Sequence, residues 1–321
     1  MKTRLLAEAA VLALLCGGLA SGQHVQGPVM GFVVDGSQIR PILGVPGAAV
    51  VGAPLKTGGP LTVEAVSPAG NYVLVSREDR VPAIWTPGSK PQTLTDLPAG
   101  TYRVALSPAG TAAAFYSQTD GRMRVISGLP DAPSAVSEIP LDSLEAALQN
   151  FTVSDDGQLV LCAEAATEAG SAAVVLGPSG KLNRITLPGA VSALNFGLRS
   201  HDAVIASGST ALLVRRVDAP GATTPLNASN AGAIGSAALA SDGRHVLLAQ
   251  PDSGKIAVVE SDSGEAATID CHCTLEGLTR INENTYRLDS YDGSAIRILD
   301  TASTPARVLV VPVSSRSDNS Q

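Results

Sequence analysis

Cys271-His272-Cys273 is the most compact group of chemically capable side chains in this 321-residue chain. Two thiolates flanking an imidazole suit zinc or cuprous copper. Asp270 is the nearest fourth ligand, but four adjacent residues wrap a tetrahedron poorly. The alternative is a disulfide between Cys271 and Cys273. Residues two apart in an extended strand hold their Cα atoms about 6.5–7 Å apart, so the segment has to turn before the sulfurs meet. The tiny loop closed by such a bond adds little chain-entropy stabilisation. In an oxidising compartment the disulfide, or a plain thiol pair, is the expectation, with metal binding by Cys271, His272 and Cys273 as the alternative. Cys162, inside the apolar run Leu159-Val-Leu-Cys162, reads as a buried free thiol.

Other constellations are thin. The histidines are His24, His201, His245 and His272. His201 and His245 occupy matching positions just after turns, where solvated polar residues are ordinary. There is no Gly-x-Ser-x-Gly elbow, no His-Glu-x-x-His, no phosphate-binding glycine loop and no EF-hand loop. Asp155-Asp-Gly157 and Asp252-Ser-Gly254 are fragments of calcium loops without the spaced acids that complete coordination. No catalytic residue is assigned, and no cofactor is expected. Asp35, Glu78, Asp79, Asp120, Asp252 and Asp292, with Glu164 and Glu168, recur at turns that share one rim of the fold derived below. They could form an acidic funnel for a cation or a basic partner. Turn chemistry explains the same residues, because Asp before Gly favours tight hairpins.

Composition narrows the partners. With 29 acidic against 22 basic side chains the net charge is −7, and Arg215-Arg216 is too small a patch to suggest nucleic acid. Aromatic residues are 3% of the chain, so stacking platforms are poorly supplied. Charged residues are 16% and hydrophobic ones 45%, which excludes a disordered chain.

The elements that must position these groups repeat. An apolar strand, a Ser-Pro-Ala-Gly-like turn and a second apolar strand recur, as in Val63-Glu-Ala-Val-Ser-Pro-Ala-Gly70 followed by Asn71-Tyr-Val-Leu-Val75. Arg103-Val-Ala-Leu-Ser-Pro-Ala-Gly110 and Phe151-Thr-Val-Ser-Asp-Asp-Gly157 repeat it, and degenerate copies end at Ser200, Gly243 and Asn284. These turn-ending residues are spaced by 40, 47, 43, 43 and 41, and a further step back lands on Gly27. All but Ser200 belong to types that tolerate positive φ cheaply. Two more apolar stretches follow each slot, such as Ala83-Ile-Trp85 and Ile256-Ala-Val-Val259. Four strands in about 40–45 residues is the arithmetic of a propeller blade. The fold expected is all-β, a β-propeller of seven four-stranded blades. The first slot supplies second, third and fourth strands but little for an innermost one, and six blades with an extra N-terminal sheet is the alternative. Only Leu144-Glu-Ala-Ala-Leu148 hints at a helix. Trp85, the single tryptophan, is expected between blades together with Ala83, and Ile84 on the opposite face.

The Ser-Pro-Ala-Gly and Ser-Asp-Gly turns, each followed by a short apolar strand, resemble the repeats of bacterial exported propellers of the Tol-associated and lactonase-like groups. The resemblance covers nearly all of the chain after its first residues. It implies the fold and leaves activity open, because such repeats host binding proteins, lactonases, lyases and quinone-dependent dehydrogenases.

Residues 1–22 read as a secretory signal peptide: Lys2 and Arg4 form the positive region, an apolar stretch follows, and Ala20-Ser21-Gly22 supplies small residues before the cut. Cys16 invites a lipoprotein reading, against which Leu15 stands where a small residue is normal. Residues 23–313 form the expected single propeller domain and residues 314–321 a flexible tail. No segment is apolar for long enough to span a bilayer. The expectation is an exported monomer, periplasmic or secreted, acting as a non-catalytic binding or scaffold module for a protein or small-molecule ligand. The competing reading is a lactonase- or lyase-type enzyme with acids and histidines at the channel mouth.

Overall fold

The computed structural model describes residues 27–168, 170–219, 222–226 and 232–314, so the expected signal peptide, Cys16 and nearly all of the tail lie outside the described residues. Seven antiparallel sheets stand in a ring, each with strands in chain order. Blade I contains Val29–Asp35 (β1), Gln38–Leu43 (β2) and Val50–Val51 (β3). Blades II to VII have four strands each and span residues 62–93, 102–140, 148–187, 191–226, 236–270 and 279–312. Among the described residues there is no α-helix, only a single 3₁₀ turn at Pro251–Ser253. Leu148, where a helix was hinted, opens the innermost strand of blade IV.

Repeat spacing becomes architecture through the turn. In blade III the N–H of Gly110 donates to the carbonyl of Ser107, and the buried Ser107 hydroxyl accepts the N–H groups of Thr111 and Ala112. Blade IV repeats this with Gly157, Ser154 and Leu159. Gly110 needs its lack of a side chain twice over: its φ is +70°, and a Cβ there would stand 2.6 Å from the Ser67 hydroxyl of the preceding blade. In blade V the positive φ falls on Arg199, not on Ser200 where the spacing pointed, and in blade VII Asn284 turns without it.

Between blades, alternate residues of the middle strands interdigitate. Ala83 and Trp85 pack with Phe32 and Ile39 of blade I, and Ile84 faces Phe115 and Ile126 of blade III, as strand alternation requires. Each of the larger apolar side chains, such as Ile84 and Phe115, contributes about 1.5–3 kcal/mol by leaving water. Tyr72 adds direction by donating its hydroxyl to the carbonyl of Gly110 at 2.7 Å.

The ring closes where blade VII meets blade I. Val51 bridges Val313 in parallel, and the N–H of Ser314 donates to the Val51 carbonyl at 2.9 Å. Gly70, in the first turn of blade II, lies against Met30 and Gly31 at the start of β1. β1 therefore runs opposite to the innermost strand of blade II, Thr62–Val66, and holds the position of a second strand, as the repeat spacing indicated.

Candidate functional site

Turns between first and second strands make one rim of the ring, and their side chains join neighbouring blades. Asp155 is the hub. One of its carboxylate oxygens accepts the N–H of Ala109 in blade III at 2.6 Å, and the other accepts the N–H of Arg199 in blade V at 2.5 Å. Its own carbonyl accepts the Thr111 hydroxyl at 2.6 Å. Asp156 stands 2.9 Å from Nε2 of His201, whose Nδ1 is 3.3 Å from Asp218. The Arg199 guanidinium reaches Glu283 of blade VII at 2.6 Å. Arg215 ties blade V to blade VI through Gly243 and Ser261 while pairing with Asp202.

These contacts frame a basin of about 700 Å³ lined by Asp155, Asp156, Arg199, Ser200, His201 and Arg216. Arg199 and Arg216 both adopt left-handed backbone, with φ of +50° and +51°. For residues carrying a Cβ that conformation persists where surroundings hold it. Here the holders are carboxylates: Asp155 takes the N–H of Arg199, and Asp202 takes that of Arg216 at 2.9 Å. Both arginines line the basin, and the Arg199 guanidinium extends to Glu283.

Charge in the basin is mutually fixed. Partial burial works against protonated His201, but hydrogen bonds and charge from Asp156 and Asp218 outweigh it and raise its pKa above the usual imidazole value. Burial of Asp156 pulls upward, yet the Ser154 hydroxyl, the Gln158 N–H and His201 together hold its pKa below the usual carboxylate value. Asp242 is likewise held low against partial burial, by the His245 ring, 2.5 Å away, and by the N–H groups of His245 and Arg244. The arrangement can bind charged groups in a set pattern. Its one imidazole has both nitrogens engaged by carboxylates, which suits an imidazolium cation better than a base.

The rim acids singled out from sequence lie at the second-to-third turns, on the opposite face, and Asp35, Asp79, Asp120 and Asp292 are each engaged within their own blade. Asp35 pairs with Arg40 at 3.4 Å and Asp120 with Arg124 at 2.8 Å. Asp79 accepts the N–H of Val81, and Asp292 accepts the N–H of Ser294. Asp252 sits in the 3₁₀ turn of blade VI, and Glu78 beside Asp79 lines a surface cleft with Lys56 and Lys90. Glu164 is buried and paired with Arg184 at 2.5 Å. No contact joins one of these acids to another among the described residues.

Cys271-His272-Cys273 follows the outer strand of blade VI, in the crossover to blade VII on that same face. The N–H of Cys271 donates to the Gly254 carbonyl next to Asp252. His272 takes a φ of +49°, the turn that the extended chain needed, and brings the two Cα atoms to 5.2 Å with the sulfurs at bonding distance. The imidazole of His272 points outward, with its side chain 86% exposed and Asp270 3.3 Å from Nδ1. Among the described residues no group of three His, Cys, Asp or Glu side chains is disposed to hold a metal ion. Cys162 is fully buried, and burial pushes its thiol pKa up.

Sequence reasoning missed Asp156, Arg199, Asp218 and Arg216 as a set. A signal was present: Asp156 and His201 lie 45 residues apart, one repeat, so aligned turns place them side by side.

No protein-family model matches the chain, and no curated protein sequence does. Solved structures match its shape. The WD40 repeats of RRP9 superpose with a TM-score of 0.53 at 13% identity, covering 79% of this chain and 81% of that one. Hsv2 of Kluyveromyces lactis, with its complete loop 6CD, gives 0.52 at 14% identity, covering 75% and 73%. Kuenenia stuttgartiensis hydrazine synthase gives 0.50 at 12% identity, covering 93% of this chain and 100% of that one. At such identities the likeness shows the fold alone, a seven-bladed β-propeller.

Proposed function

We propose that the protein is an exported, non-catalytic propeller that serves as a binding or scaffold module and takes its ligand at the basin between blades IV and V. The observation that carries this reading is the fixed pattern of charge there. Two left-handed arginines and a doubly paired imidazole stand among carboxylates that are already held by neighbouring blades. Pre-set charges of both signs give orientation and selectivity toward a polar partner without a conformational cost. Export is supported by the composition of residues 1–22. Among the described residues no helix is long and apolar enough to cross a membrane.

The deciding experiment crosslinks the native protein in its own cells and compares it with Arg216→Glu and His201→Ala variants. A partner or small ligand retained by the parent and lost from both folded variants supports the reading. Equal retention by all three would move the binding site elsewhere. Mass spectrometry of the exported protein should find Gln23 at the new N-terminus, and a full-length intracellular product would remove the export reading.

A second reading, an enzyme of the lactonase or lyase type, draws on one observation: an imidazole oriented by two carboxylates at the channel mouth. Hydrolysis of simple lactones by the parent protein, lost in His201→Ala, would favour it over the binding module.

A further inference from the structure

Each blade but one turns apolar second-strand residues toward the next blade; blade VII does not, although Ile296 and Ile298 of its third strand do pack with Val33 and Ile42 of blade I. The second-strand residues turned toward the next blade are Leu161 and Ala163 in blade IV, Val204 and Ala206 in blade V, and Leu247 and Ala249 in blade VI. In blade VII, Tyr286 and Leu288 face back into the interface with blade VI. Alternation along Thr285–Arg287 then turns Thr285 and Arg287 toward blade I. Asp289 is committed to Arg297, accepting its guanidinium at 2.8 Å and its N–H at 2.7 Å. Arg287 makes no hydrogen bond or ion pair among the described residues, and burial works against its charged form.

Arg287 lines a cleft of about 320 Å³ that opens where blade I meets its neighbours. One wall is β1, through Gly31, Phe32 and Val34; the others are the innermost strands of blades II and VII, Thr62–Val66 and Thr279–Asn282. β1 pairs with β2 along one edge, so its alternate backbone N–H and C=O groups point along the other edge, into this cleft. The other charges in the cleft are already committed. Glu64 accepts the Ser76 hydroxyl at 2.6 Å. Arg280 lies over the Tyr286 ring and donates to the carbonyls of Leu239 and Glu283. Asp289 and Glu276 act on Arg287 through charge alone, since Asp289 holds Arg297 and Glu276 accepts the Ser290 hydroxyl, so the Arg287 guanidinium keeps its hydrogen-bonding fork free for a carboxylate.

We propose that this cleft is a strand-addition site for an extended, acid-bearing segment of a partner protein, which pairs its backbone with β1 and places a carboxylate on Arg287. Strand addition draws affinity from main-chain hydrogen bonds and specificity from side-chain pockets, and an arginine fork matches a carboxylate bidentately. Charge favours a partner over the chain's own upstream residues. Residues 19–26, Leu-Ala-Ser-Gly-Gln-His-Val-Gln, contain no acid. Downstream, Ser314 is bonded to Val51 at the outer edge of blade I, away from the channel. This site is separate from the basin, and its test stands whether or not the basin binds anything.

The probes are two capped pentapeptides, acetyl-Val-Thr-Asp-Thr-Val-amide and its Asn counterpart, offered to the full-length protein while amide exchange is followed across residues 29–35. The Asp peptide should slow exchange in β1 and bind about tenfold more tightly than the Asn peptide. Arg287→Leu should abolish that preference while leaving the Asn peptide's affinity unchanged. Arg287→Lys, which keeps the charge but not the fork, should retain part of it and serves if the leucine variant does not fold. Equal binding of the two peptides to the parent, or unchanged exchange in β1 at saturating peptide, overturns the proposal. It is also overturned if β1 is protected in the free protein and loses that protection on removal of residues 1–26 or 315–321, because the chain then fills its own cleft.

Discussion

A carboxylate oxygen of Asp155 accepts the backbone N–H of Arg199 at 2.5 Å, one blade away, where Arg199 stands at a φ of +50°. The same carboxylate holds Ala109 on the other side, so one side chain pins three consecutive turns. Asp155→Ala should cost about 2–4 kcal/mol, the sum of two charge-assisted bonds at about 1.5–3 kcal/mol each with partial compensation by water. Urea unfolding measures it. A loss under 0.5 kcal/mol, on the order of an ordinary surface change, would show that the rim is not coupled through Asp155.

The Asp156–His201–Asp218 cluster gives stability a pH signature of defined sign. His201 has a raised pKa, so its contribution is complete below the unfolded value of about 6.5 and is lost as pH rises through the folded value. Asp156 has a lowered pKa, so its contribution is present above about 3.9 and is lost as pH falls through the folded value. Stability from this cluster is therefore greatest between those limits. His201→Gln should flatten the alkaline side by under about 1 kcal/mol, given partial exposure of the pair. Chemical denaturation at pH 5.5 and pH 8.5 compares the two, and a parent-like slope in the variant would contradict the assignment.

Two glycines with similar backbones should respond differently to alanine. Gly110 and Gly121 have φ of +70° and +65°, but a Cβ at Gly110 would meet the Ser67 hydroxyl at 2.6 Å while one at Gly121 meets nothing within 4 Å. Gly121→Ala should cost about 1–2 kcal/mol, the left-handed penalty alone. Gly110→Ala should cost clearly more, and thermal unfolding of both variants side by side reads the difference.

Trp85 is fully buried against Phe32 and Ile39, with no hydrogen-bond partner for its indole N–H. Native fluorescence should be blue-shifted and move red on unfolding. Trp85→Ala should cost about 3–5 kcal/mol by opening a cavity in the interface between blades I and II. A solvent-like native spectrum would contradict this packing.

Cys271 and Cys273 should form a disulfide in the protein isolated without reductant, closing the turn that His272 makes. After loss of residues 1–22, thiol counting under denaturing, non-reducing conditions should find one free thiol, that of Cys162. Three free thiols together with metal in the native protein would replace the disulfide with the metal reading. The loop is small, so Cys273→Ser should change the melting temperature little.

Periodicity was legible in the sequence because a blade is a local object. Its four strands are consecutive, its turns demand glycine at fixed places, and alternation sorts Trp85 from Ile84 without reference to distant chain. The position of β1 followed from the same count. What spacing could not convey is which side chains on different turns touch. Asp156, His201 and Asp218 meet only because the ring sets aligned turns of adjacent blades within hydrogen-bond reach. The rim acids were equally visible in the sequence, and local partners such as Arg40 and Arg124 hold them apart. The cleft at Arg287 was invisible for a related reason. A residue's face in a strand is set by two-residue alternation, but what lies opposite is set by closing a ring between residues far apart in sequence. Local hydrogen bonding and strand period determined the blades; the closed ring alone decided the sites.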